Sequence, residues 1–211
     1  MLKRLAAMAA GMMLVLTAGA ALAQTVSTPT PSNSGNAGIM FDVTATNSVT
    51  VTGLANEFAN GVTSTVRIYT RPGTHVGFTG ASTGWTLVGT TSLTGTGTVQ
   101  SIPVVLNEPI AAGQARGFYI ASTALAIPYR IGTAVGAVAA SDANIQILEG
   151  TGKSAPDFSA PNNTPRVLVG SVTYSAGPAP VPTLSEWAMI LFGLALAGGA
   201  ALYIQRRRMT A

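Results

Sequence analysis

Cysteine is absent from the chain. That removes disulfide bracing, thiolate catalysis and the usual structural zinc sites together. Histidine occurs once, at His75, and charged side chains make up only 9% of the 211 residues. A metal cluster or an acid–base pair therefore has few groups to draw on. Amphipathic helical runs are also missing outside the two ends of the chain. A domain of this length can bury a core large enough to do without disulfides, even in an exported protein.

The few charges are unevenly placed. The sequence pI of about 9.9 suggests nucleic acid or an anionic surface as partner until the charges are located. Between Gln24 and Pro182 the cations are Arg67, Arg71, Arg116, Arg130, Lys153 and Arg166. The anions there are Asp42, Glu57, Glu108, Asp142, Glu149 and Asp157. The centre is formally neutral, the excess of positive charge sits at the termini, and no basic stripe for nucleic acid remains.

Both termini read as targeting segments. Met1-Leu2-Lys3-Arg4 leads into an apolar, uncharged run that closes with Ala21-Leu22-Ala23. A positive start, an apolar middle and small residues at the inspected positions Ala21 and Ala23 make a secretory signal peptide over residues 1–23. Signal peptidase and the secretion machinery are the implied partners, and the mature chain is expected to start near Gln24.

At the other end, Gly177-Pro178-Ala179-Pro180 forms a proline-rich spacer before Val181, Pro182, Thr183, Leu184, Ser185, Glu186 and Trp187. Residues 188–204 are apolar throughout, and Arg206, Arg207 and Arg208 follow. Such a run is just long enough to cross a bilayer as a helix. Trp187 and Tyr203 mark its edges, and the three arginines are expected to hold the far end in the cytoplasm. The expected organisation is a signal peptide (1–23), a flexible lead-in (24–36) and a β-sandwich domain (37–176). A spacer with the sorting motif (177–183) and a transmembrane helix with a basic end (184–211) complete it.

The composite of VPTLSEW, an apolar span and an RRR end closely resembles the IPTL-CTERM protein-sorting signal of Gram-negative bacteria. That signal is similar in plan to PEP-CTERM, which an exosortase-type membrane protease recognises. The resemblance covers the tail alone, and Val181 stands where the motif's name has isoleucine. It implies recognition at Val181-Pro182-Thr183-Leu184, cleavage nearby, and transfer or release of the upstream domain, much as a GPI signal is removed. A permanent single-pass anchor is the alternative reading of the same residues.

The centre reads as all-β. Short runs rich in β-branched and aromatic residues start near Ile39, Ser48, Thr65, Trp85, Val99, Ala115, Ile145 and Arg166. Gly, Pro and Asn punctuate them at intervals suited to an antiparallel β-sandwich, with a jelly-roll-like two-sheet arrangement expected. The order of pieces such as Gly38-Ile39-Met40-Phe41-Asp42 and Ile68-Tyr69-Thr70-Arg71-Pro72-Gly73 also resembles a domain that recurs in exported bacterial proteins. That resemblance implies no catalytic residue.

Candidate chemistry is sparse. His75 lies in a Gly/Pro-rich loop with no obvious partner and reads as an ordinary loop residue. Asp142-Ala143-Asn144, with Glu149 beyond, offers oxygen ligands for calcium but reads better as a surface turn. Gly150-Thr151-Gly152-Lys153-Ser154 resembles a phosphate loop only loosely and also reads as a turn. Within Phe118-Tyr119 and Tyr129-Arg130, alternation should leave one side chain of each pair outside. Most of the large rings are expected in or beside the core, and an exposed one such as Tyr129 would serve a sugar-binding module. No catalytic, metal or cofactor site is expected. An envelope structural or adhesion-type protein is the leading reading, a carbohydrate- or ligand-binding module that engages surface polysaccharide the second, and a hydrolase the third.

Overall fold

A computed structural model describes residues 22–124, 127–177 and 184–209. The chain divides into two compact units, one running from Ala20 to Gly177 and one containing the C-terminal helix.

The first unit is a sandwich of two antiparallel sheets, as its alternating pattern requires. The smaller sheet joins β1 (Ala23–Ser27), β14 (Gly170–Ala176), β4 (Val49–Glu57) and β7 (Val99–Ser101) in that order, with β8 (Glu108–Ile110) also on β4. The larger sheet runs β2 (Ser34–Asn36), β10 (Ile127–Ile131), β13 (Asn162–Leu168), β12 (Ile145–Lys153), β3 (Gly38–Ala45), β9 (Ala115–Ser122), β5 (Thr63–Pro72) and β6 (Thr86–Thr94). A short strand, β11 (Val138–Ser141), pairs with β12 outside this path. The expected all-β antiparallel class is what the structure shows.

The main core lies between the sheets. Ile39, Phe41 and Val43 from β3, Phe118 and Ile120 from β9, and Val51, Val172 and Tyr174 from the smaller sheet all belong to it. Each such burial contributes roughly 1.5–3 kcal/mol relative to exposure. The intervening residues Met40 and Tyr119 point to the opposite face of the larger sheet, yet both are fully buried. Tyr69, Trp85 and Phe158 pack over them and make a second, aromatic layer there. Phe118 and Tyr119 therefore do face opposite ways, but the outer face is covered.

Three expectations are corrected. Residues 24–36 are not a flexible lead-in: β1 pairs with β14 over five residues and β2 pairs with β10, so the segment edges both sheets. Composition suggested a loop, but pairing partners and the buried Val26 override local propensity. The stretch Gly150 to Lys153 is not a turn, because β12 runs through it against β3. The β-type run that starts near Arg166 does not stay in one strand. It breaks at Val169, with β13 in the larger sheet and β14 in the smaller.

The second unit is α1 (Leu184–Met209), which ends on Arg206, Arg207 and Arg208. Thr183-Leu184-Ser185-Glu186 has the sequence pattern of a capping box, a hydroxyl three residues before a glutamate, where the helix begins.

Candidate functional site

The tail is the first candidate. Val181, Pro182 and Thr183 lie outside the described residues, as does Ala21 of the signal-peptidase site, while Ala23 opens β1. Leu184, Ser185, Glu186 and Trp187 form the first turn of α1. The segment Ala188–Arg208 spans 21 residues, and its most apolar 18 have a mean hydropathy of 1.8. At 1.5 Å per residue the apolar 18 are about 27 Å long, near the hydrocarbon thickness of a bilayer. Its apolar side chains, including Met189 at 74% and Phe192 at 66%, are exposed on all sides. A helix apolar all round and exposed to water is costly, whereas in lipid its backbone bonds are satisfied internally and its side chains match the solvent. The Arg207 guanidinium carbon lies 5.6 Å from the Tyr203 ring centre, which places a cation–aromatic pair at the basic end.

The outer face of the larger sheet is the second candidate, and it gathers polar groups that the sequence showed only as scattered residues. His75 is no ordinary loop residue: it is 1% exposed. The Asp42 Oδ1 atom accepts from the His75 backbone N–H at 2.8 Å and faces the ring Nδ1 at 2.9 Å. Its Oδ2 accepts from the Thr74 hydroxyl at 2.5 Å. The ring Nε2 lies 3.2 Å from the Thr151 hydroxyl on β12. Carboxylate, imidazole and hydroxyl stand in the order used by hydrolytic triads, but Asp42 and Thr151 are only 4% and 3% exposed. In this closed arrangement the three groups tie the loop after β5 to β3 and β12.

Lys153, at the end of β12, is fully buried. Its ammonium donates to the carbonyls of Thr79 at 3.0 Å and Phe158 at 2.9 Å, to the Asn162 side-chain oxygen at 2.8 Å, and to the Ala160 carbonyl. Burial pushes its pKa down, and the nearby Asp157 carboxylate opposes that shift. Four oxygens around three N–H bonds hold the charge without a buried counter-ion. They also fasten the 154–161 loop over the aromatic layer.

Asp142 and Glu149, the candidate calcium ligands, are each committed to separate donors. Asp142 Oδ1 accepts from the backbone N–H groups of Asn144 at 2.8 Å and Ile145 at 2.9 Å, and Oδ2 accepts from the Tyr174 hydroxyl at 2.5 Å. Partial desolvation raises the Asp142 pKa, but these donors outweigh it and leave the carboxyl below its ordinary value. Burial, helped by the bond to Asp142, raises the Tyr174 phenol to about 12. Glu149 accepts from the Thr133 and Ala134 N–H groups at 2.5 and 2.9 Å and from the Thr133 hydroxyl at 3.1 Å.

Tyr129 is 1% exposed, packed in the main core with Gly152 against its ring. The sugar-binding role expected for an exposed Tyr129 is corrected: β10 turns this ring inward and leaves the half-exposed Arg130 outside.

The IPTL-CTERM motif family matches residues 179–208, the segment that contains the first turn, the apolar span and the basic end of α1. The resemblance of the tail to the IPTL-CTERM signal, expected from its residues, is borne out by this match. Among curated proteins, none matches the chain.

Proposed function

We propose that this chain is a non-enzymatic structural or adhesion-type protein of the cell envelope. In this reading the sandwich is delivered to the outer side of the inner membrane and the tail is processed there. The coincidence of the motif match at 179–208 with the apolar helix and its arginine end carries the proposal. A sorting signal acts on exported cargo, so the β domain faces outward and Arg206, Arg207 and Arg208 face the cytoplasm. An exosortase-like protease cuts near Val181-Pro182-Thr183-Leu184, and the domain is then transferred or released. Signal peptidase removes residues 1–23 on the way. The buried clamps around Asp42 and Lys153 suit a domain that must survive outside the cell without disulfides.

Intact-mass measurement of the protein recovered from envelope and medium of its host tests this. A product that starts near Gln24 and ends near Thr183 is expected. A product that retains Arg208 at the surface would make the tail a permanent anchor, and one that retains Met1 would refute export.

A further inference from the structure

Arg71 is a buried cation, and we propose that it is the anchor of a binding site for a carboxylate-bearing saccharide. The residue is 8% exposed, and its Nε atom has no hydrogen-bond partner and no contact with solvent. Among the described residues no carboxylate lies within ion-pair distance of it, although Arg116 finds Glu108 in that way. The Arg71 stem and an Asp42 oxygen both lie against Gly117, but the Asp42 oxygens are taken by Thr74 and His75. The ring of Phe78 lies 3.4 Å from the guanidinium carbon and that of Trp85 5.9 Å away. Aromatic faces offset only part of the cost of removing a charge from water, and a buried unpaired guanidinium calls for an anion.

The surroundings leave a way in. A Cβ built on Gly84 would lie 4.0 Å from the Arg71 Nη2 atom and 3.9 Å from Phe78, and Gly84 itself is exposed. At that point the Arg71 Nη2 atom lies beside an exposed residue that has no side chain of its own. Phe78 is 43% exposed, which leaves ring surface for the apolar face of a sugar, and Ser82 and Thr83 add exposed hydroxyls. A guanidinium presents paired N–H groups in one plane, the geometry of a carboxylate's two oxygens. From Pro72 to Asn107 the chain carries no acidic side chain to repel such a ligand. The site stands on the β domain alone and does not depend on how the tail is processed.

Calorimetric titration of the full chain in detergent tests the assignment, with polygalacturonate, dextran sulfate, acetate and neutral dextran as probes. Because Arg206, Arg207 and Arg208 also attract polyanions, the readout is the difference between wild type and Arg71→Gln. Polygalacturonate should bind the wild type at least tenfold more tightly than the variant, and neutral dextran should bind neither. Equal gains for dextran sulfate would widen the ligand to any oxyanion-bearing saccharide, whereas binding of acetate alone would remove the sugar from the site. Equal binding by wild type and Arg71→Gln, or binding of neutral dextran as tight as that of polygalacturonate, overturns the proposal. If Arg71→Gln fails to melt cooperatively, Arg71→Lys keeps the charge but loses the planar fork. It should then show the same direction of loss, and unchanged affinity in that variant overturns the proposal.

Discussion

Asp42 ties the loop after β5 to the outer face, because one carboxylate receives the Thr74 hydroxyl and both the backbone N–H and ring nitrogen of His75. Replacing it with asparagine turns one acceptor oxygen into a donor and leaves buried donors unmatched. Asp42→Asn should therefore cost about 2–4 kcal/mol, read from the urea midpoint of the full chain in detergent. This clamp was illegible as a pair because Asp42 and His75 lie 33 positions apart. Half of it was nonetheless readable: alternation along Ile39-Met40-Phe41-Asp42-Val43 puts Asp42 on the face of Met40, away from the main core. What alternation does not reveal is that a loop folds back over that face. Tyr174 and Asp142 give a second prediction at this scale. The Asp142 pKa is lowered, so its contribution is complete above the ordinary carboxylate value of 3.8 and disappears as pH falls through its lower folded value. The Tyr174 phenol is raised to about 12, so its contribution is complete below 10.0 and disappears as pH rises toward 12. The melting-temperature gap between wild type and Tyr174→Phe should thus be flat at neutral pH and narrow at both extremes.

At the scale of elements, β12 shows how a strand can hide behind turn residues. Glycine in a strand usually marks a close approach of backbone, and Gly150 is such a case: a Cβ there would fall 1.8 Å from the Met40 carbonyl oxygen. The neighbour is backbone and has nowhere to yield, so Gly150→Ala should destabilise by at least about 3 kcal/mol or abolish cooperative melting. Circular dichroism during thermal unfolding checks this, and a change below 1 kcal/mol would mean that β3 and β12 are not packed as described. The hidden break at Val169 has the same physical origin. A Cβ on Gly170 would sit 2.0 Å from the Ala55 carbonyl oxygen, where the chain leaves the larger sheet and enters the smaller. Strands of strong period two, such as β3, β5 and β9, were legible because their apolar positions decide the face. By contrast, β1 and β2 were not, since Ala, Gln, Ser, Gly and Asn, which make up most of them, carry little strand preference and the pairing partner supplies the order. Val26 is the residue that ties β1 to the core, and Val26→Ala should lower stability by about 1–2 kcal/mol in the same urea assay.

For the whole molecule the decisive property is the separation of charge from fold. The neutral sandwich gives no electrostatic instruction about where it goes, whereas the motif match and the apolar span both lie in the tail. The tail was the most legible part of the chain, because a membrane span declares itself by composition and needs no tertiary partner. If α1 stops transfer as proposed, its hold depends on the three arginines that follow the span. Moving three guanidinium groups through hydrocarbon is strongly opposed, whereas the apolar stretch before them is not. Replacing Arg206, Arg207 and Arg208 together with glutamine keeps helix length and polarity but removes the positive bias. A C-terminal epitope on the wild type should be shielded from protease added to spheroplasts, and on the triple variant a substantial fraction should become digestible. Full protection of the variant would mean that the basic end does not set the orientation. The apolar span alone would then account for how the helix is held in the bilayer.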